Sequence, residues 1–85
     1  MEVEVRTYGD IREQIGEKTV RLALDPDATV ADLLDELEAA TGYDPGTLPS
    51  GKRMVVRRDR THLDRDAALA DGDSVGVSLT PVPEG

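Results

Sequence analysis

Few side chains in this 85-residue sequence could do chemistry, and the missing types exclude several classes of function. There is no cysteine, which removes thiol catalysis, disulfides and thiolate metal sites. The single histidine, His62, has no serine or cysteine motif near it and cannot build a histidine-rich metal site. We therefore expect no catalytic residue, no metal site and no enzymatic activity in this chain.

Two pairs of aspartates, Asp64 with Asp66 and Asp71 with Asp73, could bind calcium, since carboxylates are calcium ligands. The EF-hand loop needs a glycine at its sixth position and a glutamate at its twelfth, and neither pair has that spacing. Aspartate is also frequent in turns, where its side chain bonds to nearby backbone. We interpret the second pair as part of a turn into the last strand.

Basic residues cluster in one segment, which could bind phosphate groups or an acidic partner. Six of the ten lie close together: Lys52, Arg53, Arg57, Arg58, Arg60 and Arg65. No aromatic residue lies among them to stack on bases, and a formal net charge of −8 repels nucleic acid. We favour a solvated surface, or a balance against acidic helix residues such as Asp32 and Asp35, and expect no nucleic-acid partner.

Periodicity of the apolar residues predicts the elements that must position these groups. Residues 2–8 and 18–24 alternate between apolar and polar types, which predicts two half-buried strands. Strands so close in sequence are expected to pair antiparallel. Between them, Ile11 and Ile15 predict one helical turn that ends at Gly16.

The main helix has the clearest signals for its two ends. Thr29 and Asp32 form a capping box at its start, and Gly42 is suited to end it. Its buried face is predicted from apolar residues at helical spacing: Val30, Leu33, Leu34, Leu37 and Ala40.

Three shorter strands are predicted after a loop, at 53–57, 61–63 and 75–79. A right-handed crossover through the helix would place the last strand parallel to the first at the sheet centre. The expected fold class is α+β, a β-grasp (ubiquitin-like) arrangement with a mixed four- to five-stranded sheet and one main helix packed on one face. Because phenylalanine and tryptophan are absent, we expect Tyr8 and Tyr43 to join the aliphatic core.

The end of the sequence is predicted to differ from the rest of the chain. Each proline lacks an N–H and cannot donate to a strand ladder, so Pro81 and Pro83 should end the sheet. We therefore expect a domain over 1–80 and a flexible C-terminal tail over 81–85. The alternative is a frayed end without a function.

Three segments of the chain resemble the ubiquitin-like sulfur carriers and modifiers. This family includes the small subunit of molybdopterin synthase, the thiamin sulfur carrier and the small archaeal modifier proteins. The resemblance lies in Tyr8-Gly9-Asp10-Ile11-Arg12-Glu13-Gln14-Ile15-Gly16, in Ala28-Thr29-Val30-Ala31-Asp32-Leu33-Leu34, and in Leu69-Ala70-Asp71-Gly72-Asp73-Ser74-Val75. It covers nearly the whole chain, and it implies a protein substrate rather than an enzyme.

In that family an E1-like adenylating enzyme uses ATP and Mg²⁺ to join the terminal carboxylate to AMP. The product then becomes a thiocarboxylate or an isopeptide bond to a lysine. The resemblance implies that Gly85 and the neighbouring Glu84 form this terminus, presented by Pro81, Val82 and Pro83. The implied partners are the adenylating enzyme and a target protein or sulfur-accepting enzyme, with no cofactor bound to the chain itself.

Glu84 departs from the family pattern, because family members end in two glycines. It adds bulk and a second carboxylate beside Gly85. This leaves an alternative function open, a β-grasp module that binds a partner through its sheet or its basic segment without being conjugated. If the chain is conjugated to its own copies, its lysines Lys18 and Lys52 are the possible acceptors.

The location expected from the sequence is cytoplasmic. No apolar run approaches the length needed to span a bilayer, so no membrane partner is expected. No apolar segment typical of secretory signals follows Met1. The acid-rich, lysine-poor composition is typical of proteins that work in concentrated salt.

The composition predicts that folding depends on salt. The melting temperature, followed by circular dichroism, should rise as potassium chloride is added, since the Debye length falls to about 3 Å at about 1 M and screens the self-repulsion. An ordinary acidic protein, the alternative, would melt cooperatively in salt-free buffer at a temperature that molar chloride leaves unchanged.

Overall fold

The computed structural model describes residues 1–44 and 51–81, which form two helices and five strands. In chain order these are β1 (Glu2–Thr7), α1 (Gly9–Ile15), β2 (Thr19–Ala23), α2 (Val30–Thr41), β3 (Lys52–Arg58), β4 (Thr61–His62) and β5 (Ser74–Pro81). The strands make one sheet in the order β2-β1-β5-β3-β4. The predicted α+β class is confirmed, with the mixed sheet reaching five strands.

The last strand, β5, lies at the centre of the sheet as predicted. It runs parallel to β1, with Val75 opposite Val5, and antiparallel to β3, with Val77 opposite Val56. The first two strands pair antiparallel, with Val3 opposite Leu22. All these residues are buried and share the sheet face that packs against the main helix.

The helix α2 begins and ends where its sequence signals predict. The Thr29 N–H donates to Asp32 Oδ2 at 2.9 Å, which completes the capping box. Gly42 has φ of 78° and its N–H donates to Glu38 O at 2.7 Å, closing the last turn. Its buried residues are Val30, Leu33, Leu34 and Leu37. Ala40, predicted on this face, is exposed because its short side chain at the helix end does not reach the core.

The two tyrosines have different environments. Tyr43 is buried as expected, but Tyr8 is 45% exposed, so its predicted place in the core is wrong. The alternation along β1 explains this, because Thr7 points inward with Val3 and Val5 and the next residue takes the opposite direction.

The boundaries of two strands extend beyond the predicted ones. β3 includes Lys52 and Arg58, and β5 continues through Pro81, one residue beyond the expected domain end at 80. Pro81 lies in register opposite Lys52. The missing N–H of a proline costs only one donor at a strand end, so an extended Pro81 is compatible with the sheet. Val82–Gly85 lie outside the described residues, and the tail there remains a prediction.

A charged network ties β3 to the turn before β5. Arg58 Nη1 donates to Asp73 Oδ2 at 2.8 Å and to Ala68 O at 3.3 Å. The same Asp73 oxygen accepts the Ala70 N–H at 2.8 Å. The backbone bond from Ala70, together with the bond and charge of Arg58, holds the pKa of Asp73 below its ordinary value despite partial burial.

Asp73→Asn should destabilise the fold by about 1–2 kcal/mol at neutral pH, because it removes a charge-assisted bond at a partly exposed site. Because the pKa of Asp73 is lowered in the folded state, its carboxylate stabilises the fold fully at pH values above the ordinary aspartate pKa of about 4. That stability is lost as the pH falls through the folded pKa. Urea unfolding of both proteins across acid pH measures this.

Asp66→Asn is the matched control for this prediction, since Asp66 is an exposed aspartate in the same loop region. It should leave the free energy of unfolding within about 0.5 kcal/mol of wild type. An Asp73→Asn penalty that stays constant down to the lowest pH would contradict the charged network.

The Tyr43 hydroxyl is buried and, within residues 1–44 and 51–81, has no hydrogen-bond partner. Burial, followed by the charges of Asp10 and Asp44, raises the pKa of Tyr43 above its ordinary value. Because the pKa of Tyr43 is higher in the folded state, its contribution to the free energy of unfolding is fully present below the pKa of the unfolded state, about 10. This contribution is lost as the pH rises further.

Tyr43→Phe should therefore be as stable as wild type at neutral pH, or more stable by up to about 1 kcal/mol, because it removes an unsatisfied polar group. Above about pH 10 the variant should keep stability that wild type loses, as measured by urea unfolding. Tyr8→Phe is the control at an exposed tyrosine. The prediction would be refuted if wild type and Tyr43→Phe lost the same free energy of unfolding at alkaline pH.

Candidate functional site

The end of β5 determines where the predicted tail leaves the domain. β5 is hydrogen-bonded on both sides, to β1 over its first half and to β3 over its length. Its last residue, Pro81, is exposed. The other predicted tail residues, Val82, Pro83, Glu84 and Gly85, lie outside the described part of the chain. The structure thus supplies a rigid central strand that leads directly to them.

The two lysines named as possible acceptors are both exposed but lie apart. Lys18 precedes the edge strand β2, and its carbonyl accepts the Thr7 N–H at 3.0 Å. Lys52 begins β3 on the other side of the sheet centre, opposite Pro81. Lys52 is therefore the lysine next to the start of the tail.

The sheet face away from α2 is the second candidate site, and we call it the outer face. The strand registers place on it the residues that alternate with the core: Glu2, Glu4, Arg6, Thr19, Arg21, Ala23, Arg53, Val55, Arg57, Ser74, Gly76, Ser78 and Thr80. Most of these residues are polar or charged. This face is more polar than the hot spots of protein interfaces usually are.

Gly76 is the centre of this face. In the two registers it lies opposite Arg6 of β1 and opposite Arg57 of β3. A Cβ atom at position 76 would come within 3.0 Å of Tyr8 Cε2, so the glycine lets the tyrosine ring lie against the sheet backbone. The Arg12 guanidinium carbon lies 5.6 Å from the centroid of the same ring, a cation–π contact.

A depression surrounds this ring, with a volume of about 610 Å³. Its lining residues are Arg6, Tyr8, Arg57, Asp59, Ser74, Gly76 and Ser78. The two arginines, the two serine hydroxyls and the tyrosine hydroxyl can all donate hydrogen bonds, while Asp59 is the acidic group at its rim. The depression therefore suits an anionic group beside a flat apolar one.

The arginines of the basic segment have different surroundings. Arg58 is paired with Asp73, as described above. Arg57 Nε donates to His62 Nε2 at 3.1 Å, so His62 of the edge strand β4 is its hydrogen-bond partner. Among the described residues, no ion pair joins the segment to Asp32 or Asp35, so the suggested balance against these helix residues is not what the structure shows.

The side chains of Asp71 and Asp73 form hydrogen bonds that support local structure. Asp71 Oδ1 accepts the Glu2 N–H at 2.8 Å, and Asp73 accepts the bonds described above. Gly72 between them has φ of 84°, which only glycine adopts without strain. Within residues 1–44 and 51–81 no group of three or more acidic or histidine side chains is placed to hold a metal ion. The interpretation of Asp71 and Asp73 as a turn is confirmed.

The alternation of the strand predicted at 75–79 is consistent with an outward Gly76, but it does not explain why this residue is a glycine. A glycine inside an alternating strand signals a close approach by another group, and this signal could have pointed to Tyr8. The positions of Arg6 and Arg57 on either side of Gly76 had no local sequence signal, since they depend on how three strands distant in sequence align in the sheet. In the described part of the chain neither helix is long and apolar enough to cross a membrane.

Comparison with known proteins agrees with this architecture. The family model described as the ThiS family matches residues 5–82. Small archaeal modifier protein 3 of Haloferax volcanii is 39% identical over 93 aligned positions, and the alignment covers 100% of both chains.

Solved structures give the same result. The crystal structure of small archaeal modifier protein 1 from Haloferax volcanii superposes with a TM-score of 0.75 at 31% identity, covering 96% of this chain and 98% of that one. A putative molybdopterin converting factor subunit 1 from Pyrococcus furiosus has a TM-score of 0.69 at 24% identity, covering 96% and 98%, and supports the fold alone. The chain belongs to the ThiS family, whose members among these relatives are small modifier or carrier proteins rather than enzymes.

Proposed function

We propose that this chain is a ubiquitin-like sulfur carrier or protein modifier whose Gly85 carboxylate is activated by a partner enzyme. The observation that carries the proposal is the ThiS family match over residues 5–82, which extends to the start of the predicted tail. The full-length identity to small archaeal modifier protein 3 supports it as well.

The chemistry proposed for the tail requires activation from outside. An adenylating enzyme would use ATP and Mg²⁺ to convert the Gly85 carboxylate into an acyl adenylate with release of pyrophosphate. A sulfur nucleophile or a lysine amine would then form the new bond to the carbonyl carbon as AMP leaves with the electron pair. This chain supplies only the acyl group, so it needs no cofactor of its own.

The fold supports this role through β5. Pro81 lies opposite Lys52 of β3, and the first half of β5 is paired on both sides. A fixed point of departure lets a partner locate the residues that follow by docking on the domain. Glycine at position 85 is suited to a narrow channel, since it has no side chain.

The proposal is tested by incubating the chain with the adenylating enzyme of its own source, ATP, Mg²⁺ and sulfide, followed by intact-mass analysis. We expect a product in which one oxygen is replaced by sulfur at Gly85. A variant that lacks Gly85 is the matched control and should show no change.

The Glu84→Gly variant tests whether wild type itself is activated, or whether only a chain with the family's two terminal glycines is. If wild type reacts, the variant should react at least as fast, because the second carboxylate beside the reactive one is removed. If only the variant reacts, wild type is not a substrate and the proposal is wrong in its activation step.

A non-conjugating binding module is the second candidate function, and Glu84 and the polar outer face favour it. In that case the domain would bind its partner without covalent attachment. Deleting residues 82–85 would then leave the cellular role intact, whereas a carrier or modifier would lose it.

A further inference from the structure

We propose that the outer-face depression around Gly76 is a docking site for one carboxylate side chain of a partner protein. Arg6 and Arg57 would contact the carboxylate, and Tyr8 would contact the apolar surface beside it. This site goes beyond the proposed tail chemistry, because its binding requires no reaction at Gly85.

The first argument is the position of the two arginines. Both lie opposite Gly76, one on each neighbouring strand. Adjacent strands are about 4.8 Å apart, so the two backbones are separated by roughly 10 Å across β5. Guanidinium groups from the two sides can converge on one anion over the central strand, and charge-assisted bonds of this kind are the stronger ones.

The second argument is that these charges are weakly paired within the molecule. The contact of Arg6 Nε with Glu4 Oε1 is long, at 3.9 Å, and the Arg6 side chain is 58% exposed. Arg57 donates to an imidazole, and among the described residues it has no carboxylate within ion-pair distance. Arg58, by contrast, has its carboxylate at 2.8 Å. Within the described part of the chain, the guanidinium groups of Arg6 and Arg57 are therefore not neutralised by a close carboxylate, and they can bind an external anion.

The third argument is the tyrosine. Tyr8 is the one large hydrophobic side chain in residues 1–44 and 51–81 that is classed as exposed, and it lies inside the depression. Gly76 beneath its edge and Arg12 over its ring fix its position, so little conformational freedom is lost on binding. Tyrosine and arginine together are the residue types that dominate binding energy at protein interfaces.

The charge of the whole chain selects the kind of ligand. A formal charge of −8 repels a polyanion such as RNA at long range, and one tyrosine offers no series of stacking platforms. Asp59 at the rim and Glu4 beside Arg6 further disfavour a ligand with many negative charges. A single aspartate or glutamate on an otherwise neutral protein surface fits these conditions.

The test uses the ¹⁵N-labelled full chain and a capped five-residue peptide with one glutamate between serines and glycines, at constant ionic strength. We expect saturable chemical-shift changes at the Arg6 and Arg57 Nε–H groups and the Gly76 amide. Arg6→Gln and Arg57→Gln should each weaken binding about tenfold, the effect of losing one charge-assisted hydrogen bond. Arg57→Lys should bind with intermediate strength, since it keeps the charge without the planar fork.

Three controls decide the interpretation. The matched glutamine peptide should give no saturable change. Arg21→Gln changes an exposed arginine of the edge strand β2 that contacts Glu2 and does not line the depression, and it should bind like wild type. Inorganic phosphate and a short RNA oligonucleotide test the other anions. An equal response to the glutamine peptide, equal weakening by Arg21→Gln, or binding of phosphate or RNA without binding of the glutamate peptide would each overturn the proposal.

Discussion

The parallel pairing of β5 with β1 is the constraint on which the rest of this structure depends. Parallel neighbours cannot be joined by a tight turn, so the chain must cross over the sheet, and α2 lies in that crossover. The helix then covers one face of the sheet and buries Leu33 and Leu37 in the same core cluster as Val5 and Val75. The core and the position of β5 at the sheet centre follow from one pairing.

The same pairing determines the outer face. Because side chains alternate along a strand, burying Val75 and Val77 forces Gly76 outward. Its neighbours on that face come from β1 and β3, which is why Arg6 and Arg57 lie on either side of it. A slip of one residue in either register would move these charges into the core, so the hydrophobic pattern also protects the arrangement of the polar face.

Much of this fold could be predicted from local signals. The capping box at Thr29 and Gly42 at the other end fixed α2, and alternation fixed β1 and β5. Tyr8 was misplaced because the absence of larger aromatic residues suggested a core role, although the alternation already pointed it outward. The Arg58–Asp73 contact joins residues fifteen positions apart, and its partners become neighbours only when the sheet forms.

The distribution of charge connects the acidic composition with the outer face. α2 exposes Asp32, Asp35, Glu36 and Glu38 on its solvent side, which lies across the sheet from Arg6 and Arg57. The chain is thus strongly acidic as a whole while its outer face carries cations. Beyond a Debye length salt screens the overall repulsion, but a direct contact between opposite charges acts over a shorter distance and is screened less. Concentrated salt would therefore weaken the long-range barrier to an acidic partner more than it weakens the contact itself, so a negatively charged domain can still select a carboxylate on a partner surface.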